Sequence, residues 1–202
     1  KYAKLLHQAK RDVVVEKKYD GNRLLIKYDK GKIQYLSRSL KEMRNMQPLD
    51  DIVKQSVLSS NVSDFIVDCE VYAYDSQAKK PLPFQSLQPQ ITKLGTPEEI
   101  TIPVRIAVFD ILHRNQVSLI EKPLHDRLKI LYETIDLADE ITSQEVIHKT
   151  EQTLLPASEP IPEKEAKFQQ VLAQSVSEGY EGVIMKYLDE PYKPGSRQWY
   201  KY

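Results

Sequence analysis

Residues 13–23 read Val-Val-Val-Glu-Lys-Lys-Tyr-Asp-Gly-Asn-Arg. Three β-branched residues favour an extended backbone, so Val13 to Lys18 reads as a strand, and it ends in charge. Charged side chains at an inner strand position are normally paired or used. Alternation along a strand places Glu16, Lys18 and Asp20 on one face, with Lys17 and Tyr19 on the other. Gly21 lets the backbone turn sharply or approach a ligand. On alternation alone Lys18 stands beside Glu16, and Lys17 faces away into solvent.

Working outward, Arg23 to Tyr28 and Ile33 to Arg38 read as strands joined by the turn Asp-Lys-Gly-Lys at 29–32. With the first strand they would form a small antiparallel meander. Pro48 opens a helix over Leu-Asp-Asp-Ile-Val-Lys-Gln-Ser-Val. Residues 65–74 and 104–112 are strongly strand-like, and His113 to Gln116 is a polar turn. Over 123–135, Leu124, Leu128, Leu131 and Ile135 share a helical face. A second amphipathic helix spans 163–179, with Gly179 as its C-cap, and a late strand covers 182–187. Prolines gather in 81–103 and 156–162, which read as connections between elements. Strands and helices interspersed, with tight turns between sequential strands, predict an α+β fold.

The 202 residues suffice for one large domain or two small ones. Lys plus Arg and Asp plus Glu are 29 each, so the net charge is zero. That argues against a simple electrostatic nucleic-acid module, though not against an enzyme with a local basic surface. The one cysteine, Cys69, allows no internal disulfide and favours a reducing, intracellular setting; mid-strand, it reads as a buried, inert thiol. No apolar run approaches the roughly 20 residues that span a bilayer, and the histidines are too scattered for a zinc site. The chain begins without Met and reads as a piece of a longer protein.

Lysine is a nucleophile when its amine is partly deprotonated, which burial or a neighbouring cation promotes; Arg23 could be that cation. Lys-Tyr-Asp-Gly-Asn-Arg at 18–23 resembles the nucleophile motif of the covalent nucleotidyltransferases: ATP-dependent DNA ligases, RNA ligases and mRNA capping enzymes. Five further segments resemble that superfamily's remaining motifs, in order: Tyr-Leu-Ser-Arg at 35–38, Asp-Cys-Glu at 68–70, Val-Phe-Asp-Ile-Leu at 108–112, Glu-Gly-Val-Ile-Met-Lys at 181–186 and Trp-Tyr-Lys at 199–201. Glu16 with Tyr19, the Pro-Phe-Gln-Ser-Leu at 83–87 and the 123–131 helix bring the chain closest to eukaryotic-type ATP-dependent DNA ligases. Capping enzymes usually carry Thr where Tyr19 stands.

The resemblance implies an ATP-grasp-like adenylation domain over 1–202, with antiparallel sheets flanked by helices. An OB-fold domain and an N-terminal DNA-binding domain would lie outside the chain. It implies that Lys18 attacks the α-phosphorus of ATP, that AMP passes to the 5′-phosphate of a DNA nick, and that the 3′-hydroxyl then seals the strand. Glu16 would read the adenine amine, which suits a group that only accepts hydrogen bonds. Arg23 and Arg38 would hold phosphate or ribose. Glu70 would take the ribose hydroxyls or a metal-bound water, and Glu181 would help hold Mg²⁺. Phe109 would stack on the base, Lys186 and Lys201 would contact the α-phosphate, and Trp199 would be packing. A lysine matching the last motif's second would fall one residue beyond Tyr202. The partners implied are ATP or AMP and nicked duplex DNA, the latter mainly through other domains, with a monomer expected, no membrane, and a nuclear site in a eukaryote. The piece alone should adenylylate itself weakly and seal nicks negligibly. Rival readings are an RNA ligase, a capping guanylyltransferase, or an inactive nucleotide-binding scaffold.

Overall fold

The structure is a computed structural model that describes residues 6, 10–58, 61–94, 103–138, 146–195 and 199–202. Two antiparallel-rich sheets dominate it. The smaller runs β11-β10-β1-β9, where β1 is Val13–Lys18, β9 Gln152–Leu155, β10 Gly182–Tyr187 and β11 Tyr200–Lys201. The larger runs β3-β2-β4-β6-β7, where β2 is Asn22–Asp29, β3 Lys32–Ser37, β4 Asp64–Asp75, β6 Val104–Arg114 and β7 Val117–Ser118. The short β5 (Lys80–Pro81) pairs with β4, and β8 (Ile147–Lys149) runs parallel to β6. Four α-helices complete the described residues: α1 Asp50–Gln55, α2 Leu87–Lys93, α3 Leu124–Thr134 and α4 Ile161–Ser177.

The α+β class and most long elements agree with the sequence reading. The meander does not. Strands β2 and β3 form the expected hairpin, but β1 belongs to the other sheet, between β9 and β10. The chain crosses between sheets at Tyr19 to Gly21. A Cβ on Gly21 would lie 2.1 Å from the Val71 carbonyl oxygen of β4, so only glycine allows this crossing. Gly21 thus packs against the β4 backbone and also lines the cavity described below. Asp20 secures the same corner, its Oδ2 accepting the Phe84 N–H at 3.0 Å.

Other differences are local. The helix expected from Pro48 is preceded by a 3-10 turn, Arg44–Leu49, with Pro48 inside it. The proline-containing connection after residue 81 holds α2, and β8 and β9 lie where the sequence reading placed no element. Gly179 does take a left-handed φ of +92° just past α4, the conformation a helix C-terminus favours glycine for.

The larger sheet buries the main core, in which Leu24, Ile26, Phe65, Val67 and Val71 meet Leu124, Leu128 and Leu131 of α3. A second core joins Val13, Val15, Val183 and Met185 to Phe168 of α4. Cys69 is buried, as expected. Arg127 of α3 donates from Nε and Nη2 to the two oxygens of buried Asp110 at 2.8 and 2.9 Å. It also donates to the backbone carbonyls of Lys122 and Glu190. One guanidinium thus ties helix, sheet and the segment after β10 together, its donors satisfied as burial demands. Tyr19, Tyr72, Tyr74 and Tyr180 pack with Ala107 as a third cluster, against which His148 sits 3.0 Å from the Tyr72 hydroxyl. Burial lowers the His148 pKa to about 4, so the imidazole is neutral at neutral pH.

Candidate functional site

The corner at Gly21 leaves a cavity of about 1620 Å³ along the seam of the two sheets. From the smaller sheet come Glu16, Lys18, Ile184, Lys186 and Lys201. From the larger sheet come Arg23, Glu70 and Phe109, with Arg38 following β3 and Glu181 preceding β10. All nine residues expected at a nucleotide site therefore line one space. Strand register accounts for much of this: Glu16 pairs with Ile184, Val14 with Lys186, and Arg23 with Glu70.

Glu16 and Lys186 are both almost fully buried, and Lys186 Nζ donates to Glu16 Oε2 at 2.5 Å. The other carboxylate oxygen accepts from Gln152 Nε2 at 2.7 Å. Lysines on strands normally sit in solvent. The burial of Lys186 follows from pairing inside the sheet with a carboxylate that offsets its charge. The Lys186 ammonium also lies 4.6 Å from the centroid of Phe109 and 4.3 Å from that of Trp199. Lys18 Nζ makes a short ion pair with Glu181.

Arg23 faces Asp68 as a fork, with Nε donating to Oδ1 at 2.8 Å and Nη2 donating to Oδ2. The Tyr192 hydroxyl donates to Asp68 Oδ2 at 2.9 Å and lies 2.7 Å from Arg23 Nη2. Burial works against the Arg23 charge, but Asp68 outweighs it and holds the pKa above the ordinary value. Three of the five N–H donors of Arg23 are thus committed to protein, two to Asp68 and one to the Tyr192 hydroxyl. Glu70 differs: no hydrogen bond to its carboxyl is made among the described residues. Burial raises its pKa to about 7, against the pull of Arg23, Lys201 and Lys18.

Lys17 requires a correction. It is not solvated: its ammonium makes ion pairs with Glu151 at 2.5 Å and with Glu178, and lies 4.8 Å from the Tyr180 ring centroid. Burial lowers its pKa, yet the two carboxylates leave it raised overall. Alternation correctly turned Lys17 away from Lys18, but on that side it meets Glu151, just before β9, and Glu178, just past α4, rather than water. Trp199 also exceeds its expected packing role. It lines the cavity, edge-on to Phe109 with centroids 5.5 Å apart, and its ring centroid lies 4.8 Å from the Arg23 guanidinium carbon. Two aromatic rings and two cations thus form one wall. Gln152, Tyr192 and Thr150 were missed, because nothing local to them signals a role; only the strand register and the 188–195 segment bring them here.

Gly182 repeats the lesson of Gly21. Its φ is +146°, and a Cβ there would sit 1.9 Å from the Tyr202 carbonyl oxygen. Tyr202 and Val183 exchange two backbone hydrogen bonds of 3.0 Å. Glycine at this point lets β11 close against β10 and brings Lys201 to the cavity rim. No described group of three or more His, Cys, Asp or Glu could hold a metal, and no described helix is long and apolar enough to cross a membrane.

Comparison with known proteins agrees with the geometry. The DNA ligase of Methanocaldococcus jannaschii is 34% identical over 188 residues, covering 90% of this chain and 32% of the relative. DNA ligase 1 of Drosophila melanogaster is 33% identical over 181 residues, covering 88% of this chain and 22% of its own length. The chain thus spans a third or less of these relatives. Among solved structures, mycobacterial DNA ligase D complexed with ATP and MES superimposes with a TM-score of 0.64 at 23% identity, over 94% of this chain and 54% of that one. The ATP-dependent DNA ligase from bacteriophage T7, in complex with ATP, gives 0.63 at 18% identity, over 98% of this chain and 63% of that one. At such identities these two establish a shared fold. The model of the ATP dependent DNA ligase domain matches residues 1–202, and the chain belongs to that family.

Proposed function

We propose that this chain is the adenylation domain of an ATP-dependent DNA ligase, working with an OB-fold domain and a DNA-binding domain outside it. The observation that carries this is the meeting of Lys18, Glu16 and Lys186 from one sheet with Arg23, Glu70 and Phe109 from the other around one cavity.

Lys18 Nζ attacks the α-phosphorus of ATP. An N–P bond forms, the bond from the α-phosphorus to the bridging oxygen breaks, pyrophosphate leaves, and the amine loses a proton. The 5′-phosphate of a nicked duplex then takes the AMP from Lys18, and the 3′-hydroxyl displaces it. These are phosphoryl transfers, in which alignment and charge stabilisation supply most of the catalysis. Phe109 stacks on adenine and Glu16 accepts from its exocyclic amine. Arg38, Lys186 and Lys201 neutralise phosphate charge, and Arg23 contributes the donors Asp68 leaves open. Because Lys186 rests over Phe109 in this structure, the base takes that face only as the ammonium moves off it towards the α-phosphate.

The donor set fits magnesium brought with the triphosphate rather than a resident ion. Of the four carboxylates lining the cavity, Glu16 is held by Lys186 and Gln152 and Asp20 accepts the Phe84 N–H, so Glu70 and Glu181 are the ones that would face the ion; Mg²⁺ commonly binds one or two carboxylates together with phosphate oxygens and water. When bound, it screens the charge of the departing pyrophosphate. The carboxyl of Glu70 is protonated below about 7 and ionised above it. Its side-chain resonance should therefore titrate with a midpoint near 7, and Mg²⁺ with a nucleotide should move the midpoint down, since a cation favours the charged form. An ordinary carboxylate midpoint in the nucleotide-free protein would contradict the burial argument.

Function is tested by incubating the intact protein with labelled ATP or labelled GTP and Mg²⁺, then mapping the label. ATP alone should label, at Lys18, and the label should pass to nicked DNA. Labelling by GTP alone would point to a capping enzyme, preference for nicked RNA to an RNA ligase, and binding without labelling to an inactive scaffold. The protein should act inside the cell, as one copy per nick.

A further inference from the structure

We propose that Gln152 is a positioning residue that fixes Glu16 for reading the base, and that Tyr132 sets the direction of the relay. This rests on the assignment of Glu16 to the adenine amine above.

Gln152 stands at the start of β9, directly opposite Glu16 in the register of β1. Its Nε2 lies 2.7 Å from Glu16 Oε1, while Lys186 holds Oε2 at 2.5 Å. An ionised carboxylate only accepts, so the amide must present its NH₂ group to Glu16; the flipped amide would set oxygen against oxygen. The Gln152 carbonyl then points the other way, where the Tyr132 hydroxyl of α3 donates to it at 3.5 Å. That distance is at the long end of the range, and the contact selects an orientation more than it adds energy. Burial pushes the Tyr132 pKa up to about 12, so the hydroxyl keeps its proton. Donation therefore runs one way, from Tyr132 to Gln152 to Glu16.

Gln152 does not line the cavity, whereas Glu16 does. Before the nucleotide enters, each oxygen has one donor; as Lys186 turns to the phosphate, Gln152 is the donor that stays with Glu16 and keeps the carboxylate in place, with lone pairs free for the base. A base carrying an amine opposite Glu16 meets an acceptor already placed and desolvated. A base carrying a carbonyl there meets two like dipoles. Preorganisation of this kind improves affinity by removing the ordering cost at binding. Loss of Gln152 should weaken ATP selectively, because only a nucleotide with the amine uses the aligned oxygen.

The test compares ATP with purine riboside triphosphate, which lacks the exocyclic amine, in AMP-type labelling of the full-length protein. In wild type the missing amine should raise KM about tenfold or more, the range for a hydrogen bond to a charged group. In Gln152→Leu the KM for ATP should rise about tenfold with kcat within about threefold, and the penalty for the missing amine should fall below about threefold. A purely structural role would raise KM for both nucleotides alike and leave that penalty intact; this result overturns the relay alone. Tyr132→Phe, which removes one hydroxyl, should shrink the penalty in the same direction and serves if Gln152→Leu does not fold. A wild type indifferent to the amine overturns the reading of Glu16 and the relay with it.

Discussion

Lys18→Ala in the intact protein should reduce covalent AMP attachment by about 10⁴-fold or more, the scale on which loss of a nucleophile acts. The substitution should cost little stability. The Lys18 side chain is one-fifth exposed and its partner Glu181 about half exposed, so the pair is worth about 1 kcal/mol or less. Lys17→Ala should behave in the opposite way. Labelling should stay within about tenfold of wild type, since Lys18 is untouched and the Lys17 ammonium is turned to Glu151 and Glu178. Stability should fall by about 1 kcal/mol, because two ion pairs and the contact with Tyr180 are lost. Mass mapping of the AMP adduct and thermal melts of both variants separate the two lysines. Loss of labelling in Lys17→Ala with normal labelling in Lys18→Ala would reverse the assignment.

The second large effect is expected at Lys186. Lys186→Met leaves Glu16 buried with Gln152 as its remaining donor. Removing one partner of a buried pair typically costs about 3–5 kcal/mol, and chemical denaturation should register a loss of that size. AMP attachment should fall as well, through lost phosphate neutralisation and a misplaced Glu16. The double variant Glu16→Gln with Lys186→Met removes both charges. It should recover most of the stability and none of the labelling, because stability needs charge balance whereas the chemistry needs the charges themselves. Equal stability of the single and double variants would show that the two groups are not coupled.

Much of this site was legible because motifs record which residues meet without recording how. Alternation along Val13 to Lys18 placed Glu16 and Lys18 together, and the heptad-like spacing of Leu124, Leu128 and Leu131 identified the buried face of α3. The sheet to which β1 belongs was not legible. A tight turn after Asp20 suggests a hairpin, whereas the pairing of β1 with β9 and β10 joins residues over a hundred positions apart. Lys17 was misread for the same reason: alternation gives direction, not what lies there. Gln152 and Tyr192 carry no motif, and Asp20 and Gly21 hold the backbone corner while also lining the cavity.

The placement of the cavity on the seam has a mechanical consequence. Lys18 and Glu16, the proposed nucleophile and base reader, ride on one sheet, while Phe109, Arg23 and Glu70 ride on the other. A nucleotide bound as proposed would be a splint across a joint. It would stiffen the protein against shear between its two sheets, and slippage at that joint would change the reach of Lys18 without altering any residue that touches the ligand.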